Sequence, residues 1–296
     1  MPEVEVSRSQ LIHRPVGEVF ELVRHFENWP KWSPWLKAAP GFELQFLEEA
    51  FSWEGEVCGK GRMRIFDVVE QELIICELRI QKPDKMKAAV VMRFAERDGA
   101  TLVTWSLETT LPFYLFWMAG RLRNLIERDY ERGLRMLQDL AETGVVSSRV
   151  EVPGKKTYAF FVGVGIRRKV SMADFAEQVE ADRRSVVERY PEGEAVTVYH
   201  KWSFKKGRVV YLAGVRLERT PGVVADGMEL FEFPGGDVFT VRHFGDLRHL
   251  ANGWAAGRMY LRAKKMKADK KAKPFEVYEE VEGGDPVVRI CLPLKG

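Results

Sequence analysis

Glu276 is the acid whose setting in this 296-residue chain most invites chemistry. It lies between Phe275 and Val277 in a strand-like run, where side chains two residues apart point the same way, so Tyr278 shares its face. If that face lines a cleft with Trp254, Tyr199, Tyr211 and Phe160, an acid among rings suits a lipophilic cation. The rings supply cation–π attraction and the carboxylate a counter-charge. Two alternatives stay open: a general base working with a tyrosine as acid, and a solvated glutamate on an edge strand.

Other reactive residue types form no comparable group. Cys58, Cys76 and Cys291 are widely spaced in apolar or strand-like runs, which argues against a disulfide framework and a zinc site of paired cysteines. His13, His25, His200 and His249 share no metal or triad spacing, and His243 with Gly245 reads as packing and backbone geometry at a strand end. Gly163-Val164-Gly165 lacks the third glycine of a phosphate loop and reads as a turn. No cofactor and no metal are expected. The run Arg262–Lys273 carries seven basic side chains and one acid, and reads as a solvated helix end whose cations complement the helix dipole. With no helix-turn-helix pattern beside it, direct DNA binding is not expected.

The elements that must position Glu276 repeat. Val150-Glu151-Val152-Pro153-Gly154 returns as Phe231-Glu232-Phe233-Pro234-Gly235, and Val196-Thr197-Val198-Tyr199 returns as Phe275-Glu276-Val277-Tyr278, about 80 residues later. Thr197 occupies the place of Glu276 in the first copy, so the repeat architecture does not demand the acid. Each copy, 148–225 and 226–296, reads strand, helix, strand, strand, with helices expected over Met172–Arg189 and Leu247–Lys267. A ligand cleft is expected at the junction of the copies.

The residues Val241-Arg242-His243-Phe244-Gly245, Trp254, Phe275-Glu276-Val277-Tyr278 and Arg289–Lys295 resemble, in order and spacing, the GyrI-like family, the effector-binding domain of multidrug-responsive transcription factors. The resemblance covers residues 148–296 and implies that Glu276 contacts a drug, or is catalytic as in hydrolytic relatives. Val238 departs from it, since an aromatic commonly stands there.

The first half has a different pattern: one strand, two short helices, six strands and a long helix. Pro15 opens a helix carrying Val16, Val19, Phe20 and Val23, followed by the tryptophan-rich run Asn28–Trp35. A single amphipathic helix is expected from Phe113 to a cap at Gly144, with Leu115, Met118, Leu122, Leu125, Ile126, Tyr130, Leu134, Leu137 and Leu140 facing inward. A curved sheet closed by such a helix either fills the space between or leaves a cavity, expected at about 300–1,000 Å³. Trp29, Trp32 and Trp35, like Phe113, Phe116 and Trp117, fit either core packing or a ligand or partner surface.

This first half resembles the polyketide cyclase/SRPBCC group of the START and Bet v 1-like superfamily, the helix-grip fold, over residues 4–142. Pro15, Val19, Phe20 and the tryptophans carry the likeness, which implies hydrophobic-ligand binding under the long helix.

Length, a hydrophobic content of 46% and a charged content of 30% allow two folded domains, placed at 1–147 and 148–296. The first holds 19 basic and 23 acidic side chains, the second 27 and 20. No run is apolar enough for a membrane span and the opening residues lack a signal core, so a cytoplasmic location is expected. The expected whole is α+β: a helix-grip antiparallel sheet with a long helix, then a tandem-repeat GyrI-like domain. Its expected function is binding of small hydrophobic molecules, cations among them, for sensing or sequestration. The alternatives are a hydrolase of lipophilic electrophiles using Glu276, and a cyclase or lipid carrier in the first domain.

Overall fold

The computed structural model describes residues 3–39, 41–203, 206–279 and 286–296, and the chain divides into two compact units, Met1–Ser148 and Arg149–Gly296.

In the first unit the opening strand β1 (Glu3–Ile12) is followed by α1 (Val16–Arg24), α2 (Trp29–Trp32) and α3 (Pro34–Ala38). Three short α-helices thus stand where two are expected, because the tryptophan-rich run itself forms two, each with a proline in its first turn, where the missing N–H costs no hydrogen bond. Six strands come next: β2 (Glu43–Leu47), β3 (Ala50–Gly55), β4 (Gly59–Val69), β5 (Leu73–Lys82), β6 (Met86–Arg97) and β7 (Ala100–Thr110). They form one antiparallel sheet in the order β1-β7-β6-β5-β4-β3-β2. Alternation gives it one apolar face: Met63 and Ile65 of β4 and Val103, Trp105 and Leu107 of β7 are buried, whereas Arg62 and Arg64, which alternate with the former, are exposed.

The segment after β7 is not one helix. Phe113–Met118 forms a 3₁₀ helix, and only Ala119–Thr143 is α-helical, as α4. Gly144 ends α4 in the left-handed conformation at φ +80°, with its N–H donating to the Leu140 carbonyl at 3.0 Å, the cap expected of it. The apolar stripe is shorter than expected. Ile126, Tyr130, Leu134, Leu137 and Leu140 are buried, but Leu125 is exposed, because adjacent helical positions differ by about 100° and Ile126 takes the inward one. Leu115's side chain lies outside the described residues. An antiparallel sheet followed by a long helix against its β1 and β7 strands is consistent with the helix-grip fold.

The second unit contains β8 (Ser148–Tyr158), β9 (Phe161–Ser171), α5 (Phe175–Arg189), β10 (Glu194–Ser203), β11 (Arg208–Leu217), β12 (Glu229–Phe233), β13 (Gly236–Gly245), α6 (Ala251–Ala263), β14 (Phe275–Glu279) and β15 (Val287–Pro293). Its single sheet has the order β12-β9-β11-β10-β14-β15-β13-β8. Both helices begin later than expected, α6 after a 3₁₀ turn at Leu247–His249. α5 packs on β9, β10 and β11, and α6 on β13 and β15. The helical pattern ends at Ala263, so most of the basic run after Arg262 is irregular chain.

Candidate functional site

β14 is an interior strand. Thr197 of β10 faces Glu276 on one side and Ile290 of β15 faces it on the other. The period of two sends Phe275 and Val277 into a core with Tyr158, Phe161, Phe233 and Val238, leaving Glu276 on the other face. Glu276 is 0% exposed. It is therefore neither on an edge strand nor solvated.

Both carboxylate oxygens are engaged. Oε2 accepts from the Tyr199 hydroxyl at 2.8 Å and the Tyr278 hydroxyl at 2.6 Å, and Oε1 accepts from the Trp254 indole at 2.5 Å. Thr197 donates in turn to the Tyr278 oxygen at 3.4 Å. The indole reaches this far because α6 lies close to the sheet at the preceding residue: a Cβ on Gly253 would stand 2.6 Å from the Ile290 side chain. Four of the six side chains expected around a ligand are thereby brought together: Glu276, Tyr278, Trp254 and Tyr199.

Burial raises the Glu276 pKa above the ordinary carboxylate range; donation from Tyr278, Trp254 and Tyr199, and the charge of Arg183, oppose the rise without cancelling it. Burial, and next the charge of Glu276, raise both phenols, so Tyr199 and Tyr278 stay protonated donors. Arg183 on α5 lies over the Tyr278 ring at 3.7 Å and pairs with Glu180. Among the described residues no lysine or arginine forms an ion pair with Glu276 itself.

Rings continue outward from this group. Tyr199 meets Trp254 at 5.2 Å, Trp202 at 5.5 Å and Phe175 at 6.1 Å between centroids, and Phe175 meets Trp202 at 5.3 Å. Trp202 is exposed, so the series runs from the buried carboxylate to solvent.

The other two expected residues go elsewhere. Tyr211 is buried beside Phe175, but its hydroxyl donates to Asp182 at 2.7 Å, and Asp182 also accepts from Arg168 and Gln178. Phe160 falls in the turn between β8 and β9 and is 57% exposed. It lines a separate cleft of about 630 Å³ with Phe161, Val162, Glu194 and Arg216. The sequence pattern places it near a strand, but a turn frees its side chain from the sheet's alternation.

Asp182, Arg183, Phe175 and Trp202 escaped the sequence reading. Asp182 carried a usable signal: Phe175, Val179, Asp182 and Val186 recur at four- and three-residue steps, so an acid occupies an inward position of α5. Trp202 had none, because it follows a register shift between Tyr199 and Lys201 that alternation does not foresee.

In the first unit the space between α4 and the sheet is filled by protein at the level of Tyr130. That ring stacks on Trp105 of β7 at 3.9 Å; Trp32 meets Trp105 at 5.4 Å, and Trp29 meets Trp32 at 4.7 Å. All four are fully buried, which assigns Trp29 and Trp32 to core packing and leaves the filled alternative in place at this level.

Residues 3–142 match the model of the family described as polyketide cyclase / dehydrase and lipid transport. No curated protein matches the chain. Among solved structures, XoxI from Bacillus cereus is 17% identical with a TM-score of 0.39, over 47% of this chain and 96% of its own. The Aha1 dimer from Colwellia psychrerythraea is 10% identical with a TM-score of 0.37, over 48% and 98%. SAV2435 bound to tetraphenylphosphonium is 14% identical with a TM-score of 0.41, over 49% and 94%. Likenesses of this degree carry no functional argument. No helix among the described residues is long and apolar enough to cross a membrane.

Proposed function

We propose that the second unit binds small hydrophobic molecules, cations among them, against Glu276, for sensing or sequestration. One observation carries this reading: a fully buried carboxylate, without a paired cation among the described residues, adjoins a series of rings that ends at an exposed tryptophan. An entering cation would supply the charge that the site lacks, and the rings would cover its apolar surface. The match of residues 3–142 supports hydrophobic-ligand binding in general for the first unit.

The strand order supports reading the second unit as duplicated and GyrI-like. Exchanging β8 with β12, β9 with β13, β10 with β14 and β11 with β15 reproduces the order of the sheet read from its other end. On that reading Thr197 and Glu276 are equivalent positions, and the acid belongs to one copy alone.

A second reading, a hydrolase of lipophilic electrophiles, draws on the 2.6 Å contact between the Tyr278 hydroxyl and Glu276, which pairs a base with a phenolic acid. One substitution separates the two. Calorimetry with tetraphenylphosphonium and with neutral triphenylphosphine oxide would be run on the wild type and Glu276→Gln. A binding role predicts a loss of about 5- to 150-fold for the cation, roughly 1–3 kcal/mol, with little change for the neutral compound. A general base predicts retained binding and lost turnover of a reactive substrate. If neither binding nor turnover changes, Glu276 is not a ligand residue.

A further inference from the structure

Four large aromatic side chains of the first unit, Phe113, Tyr114, Phe116 and Trp117, are 60–77% exposed within a single 3₁₀ helix. A 3₁₀ helix repeats every three residues, so they form two outward columns, Phe113 with Phe116 and Tyr114 with Trp117. The first pair has ring centroids 6.0 Å apart. In the second the Trp117 indole donates to the Tyr114 carbonyl at 3.2 Å, which satisfies its polar edge inside the tip. Clustered exposed rings mark an interaction surface far more than scattered ones do.

The charge around the tip indicates what covers it. Between Glu108 and Glu127 the chain has no acid at all, in a protein that is 30% charged. The same stretch holds Arg121 and Arg123, both exposed on the first turns of α4 and, among the described residues, without an ion-pair partner. Aromatic side chains flanked by unpaired cations suit the boundary of an anionic bilayer, where rings sit at headgroup depth and guanidinium groups meet phosphates. A second copy meeting this tip symmetrically would oppose arginine to arginine. We propose that Phe113–Met118 with Arg121 and Arg123 is an interfacial anchor that seats the first unit on a membrane surface rich in anionic lipid.

The test is sedimentation of the full chain with vesicles of phosphatidylcholine alone and of phosphatidylcholine mixed with phosphatidylglycerol. The anchor predicts association with the mixed vesicles that weakens with added salt. The double substitution Phe113→Ser/Trp117→Ser should abolish it without shifting the melting temperature, since both side chains are exposed. Arg121→Gln and Arg123→Gln should each weaken it about fivefold. Brominated acyl chains should quench the emission of the bound protein, and Trp117→Phe should lose that quenching while still binding. Three results would overturn the proposal: no association with either vesicle, association unchanged in the double serine variant, or tip-dependent self-association without vesicle binding.

Discussion

Thr197 and Glu276 are partners across adjacent strands at the middle of the second sheet, both fully buried, and both reach the same phenol, Tyr278. A neutral hydroxyl and a carboxylate thus occupy facing places in a single hydrogen-bonded group. Of these two, only the carboxylate can change charge, so its protonation is linked to the stability of the unit and, on the proposed function, to affinity for a cation.

Stability should fall as pH rises through the titration of Glu276. Its folded pKa is raised, mainly by burial, so the folded form holds the proton more tightly than the unfolded chain. The stabilisation is complete below the ordinary carboxylate pKa and is lost as pH climbs through the folded value. Melting temperature against pH should show this slope in the wild type and lose it in Glu276→Gln.

Cation binding should run the other way. The carboxylate must ionise to act as a counter-charge, so affinity for tetraphenylphosphonium should grow over the same pH range while affinity for triphenylphosphine oxide stays level. Titration calorimetry at several pH values, with the proton release measured in buffers of different ionisation enthalpy, checks both.

Removing one donor should make the acid harder to ionise. Tyr278→Phe and Tyr199→Phe each delete a hydrogen bond to Oε2, at about 1–3 kcal/mol for a bond to a buried charged group. Because both serve one oxygen, their effects should not add, and a double-mutant cycle by chemical denaturation should return a coupling energy.

Gly253→Ala should act on the site through the backbone. The new Cβ would meet Ile290 at 2.6 Å, so α6 or Ile290 must shift, and the Trp254 indole moves relative to Glu276. Overpacking of this kind costs about 1–3 kcal/mol. Loss of stability together with weaker cation binding is expected, measured by melting and calorimetry.

Tyr130→Phe should leave the first unit as stable as before or make it more so. Among the described residues the buried hydroxyl has no hydrogen-bond partner, and an unpaired buried polar group costs about 1–3 kcal/mol. Tyr130→Ala, by contrast, removes the ring stacked on Trp105 and should cost about 3–5 kcal/mol. Urea unfolding of the two variants distinguishes them.

What could be read in advance was what strand and helix periodicity dictate. Glu276 and Tyr278 had to share a face once they lay in a strand, and Gly144 had to end α4 once its conformation was left-handed. Periodicity was silent where a side chain's neighbours come from distant segments. Tyr211 fitted the ligand group by pattern, yet its hydroxyl turns to Asp182, which only the packing of α5 brings within reach. It also misled at Phe113–Leu125, where spacing fits a buried stripe but the chain first runs as a 3₁₀ helix and Phe113, Phe116, Trp117 and Leu125 are exposed. An aromatic run follows the same spacing whether it meets a core or an outside partner.

The place of β15 also governs when the second unit can fold. This strand lies between β14 and β13, inside the sheet, although it is made after both. Until Pro293 has left the ribosome, β13 and β14 are open edges, and the β10–β14 ladder beside Glu276 ends at an unpaired strand. The first unit's meander from β2 to β7 pairs each strand with the one just synthesised, so it can assemble as it emerges. A nascent chain would therefore carry a finished first unit and a second whose β13 and β14 keep an unpaired edge, open to wrong pairing, until β15 arrives.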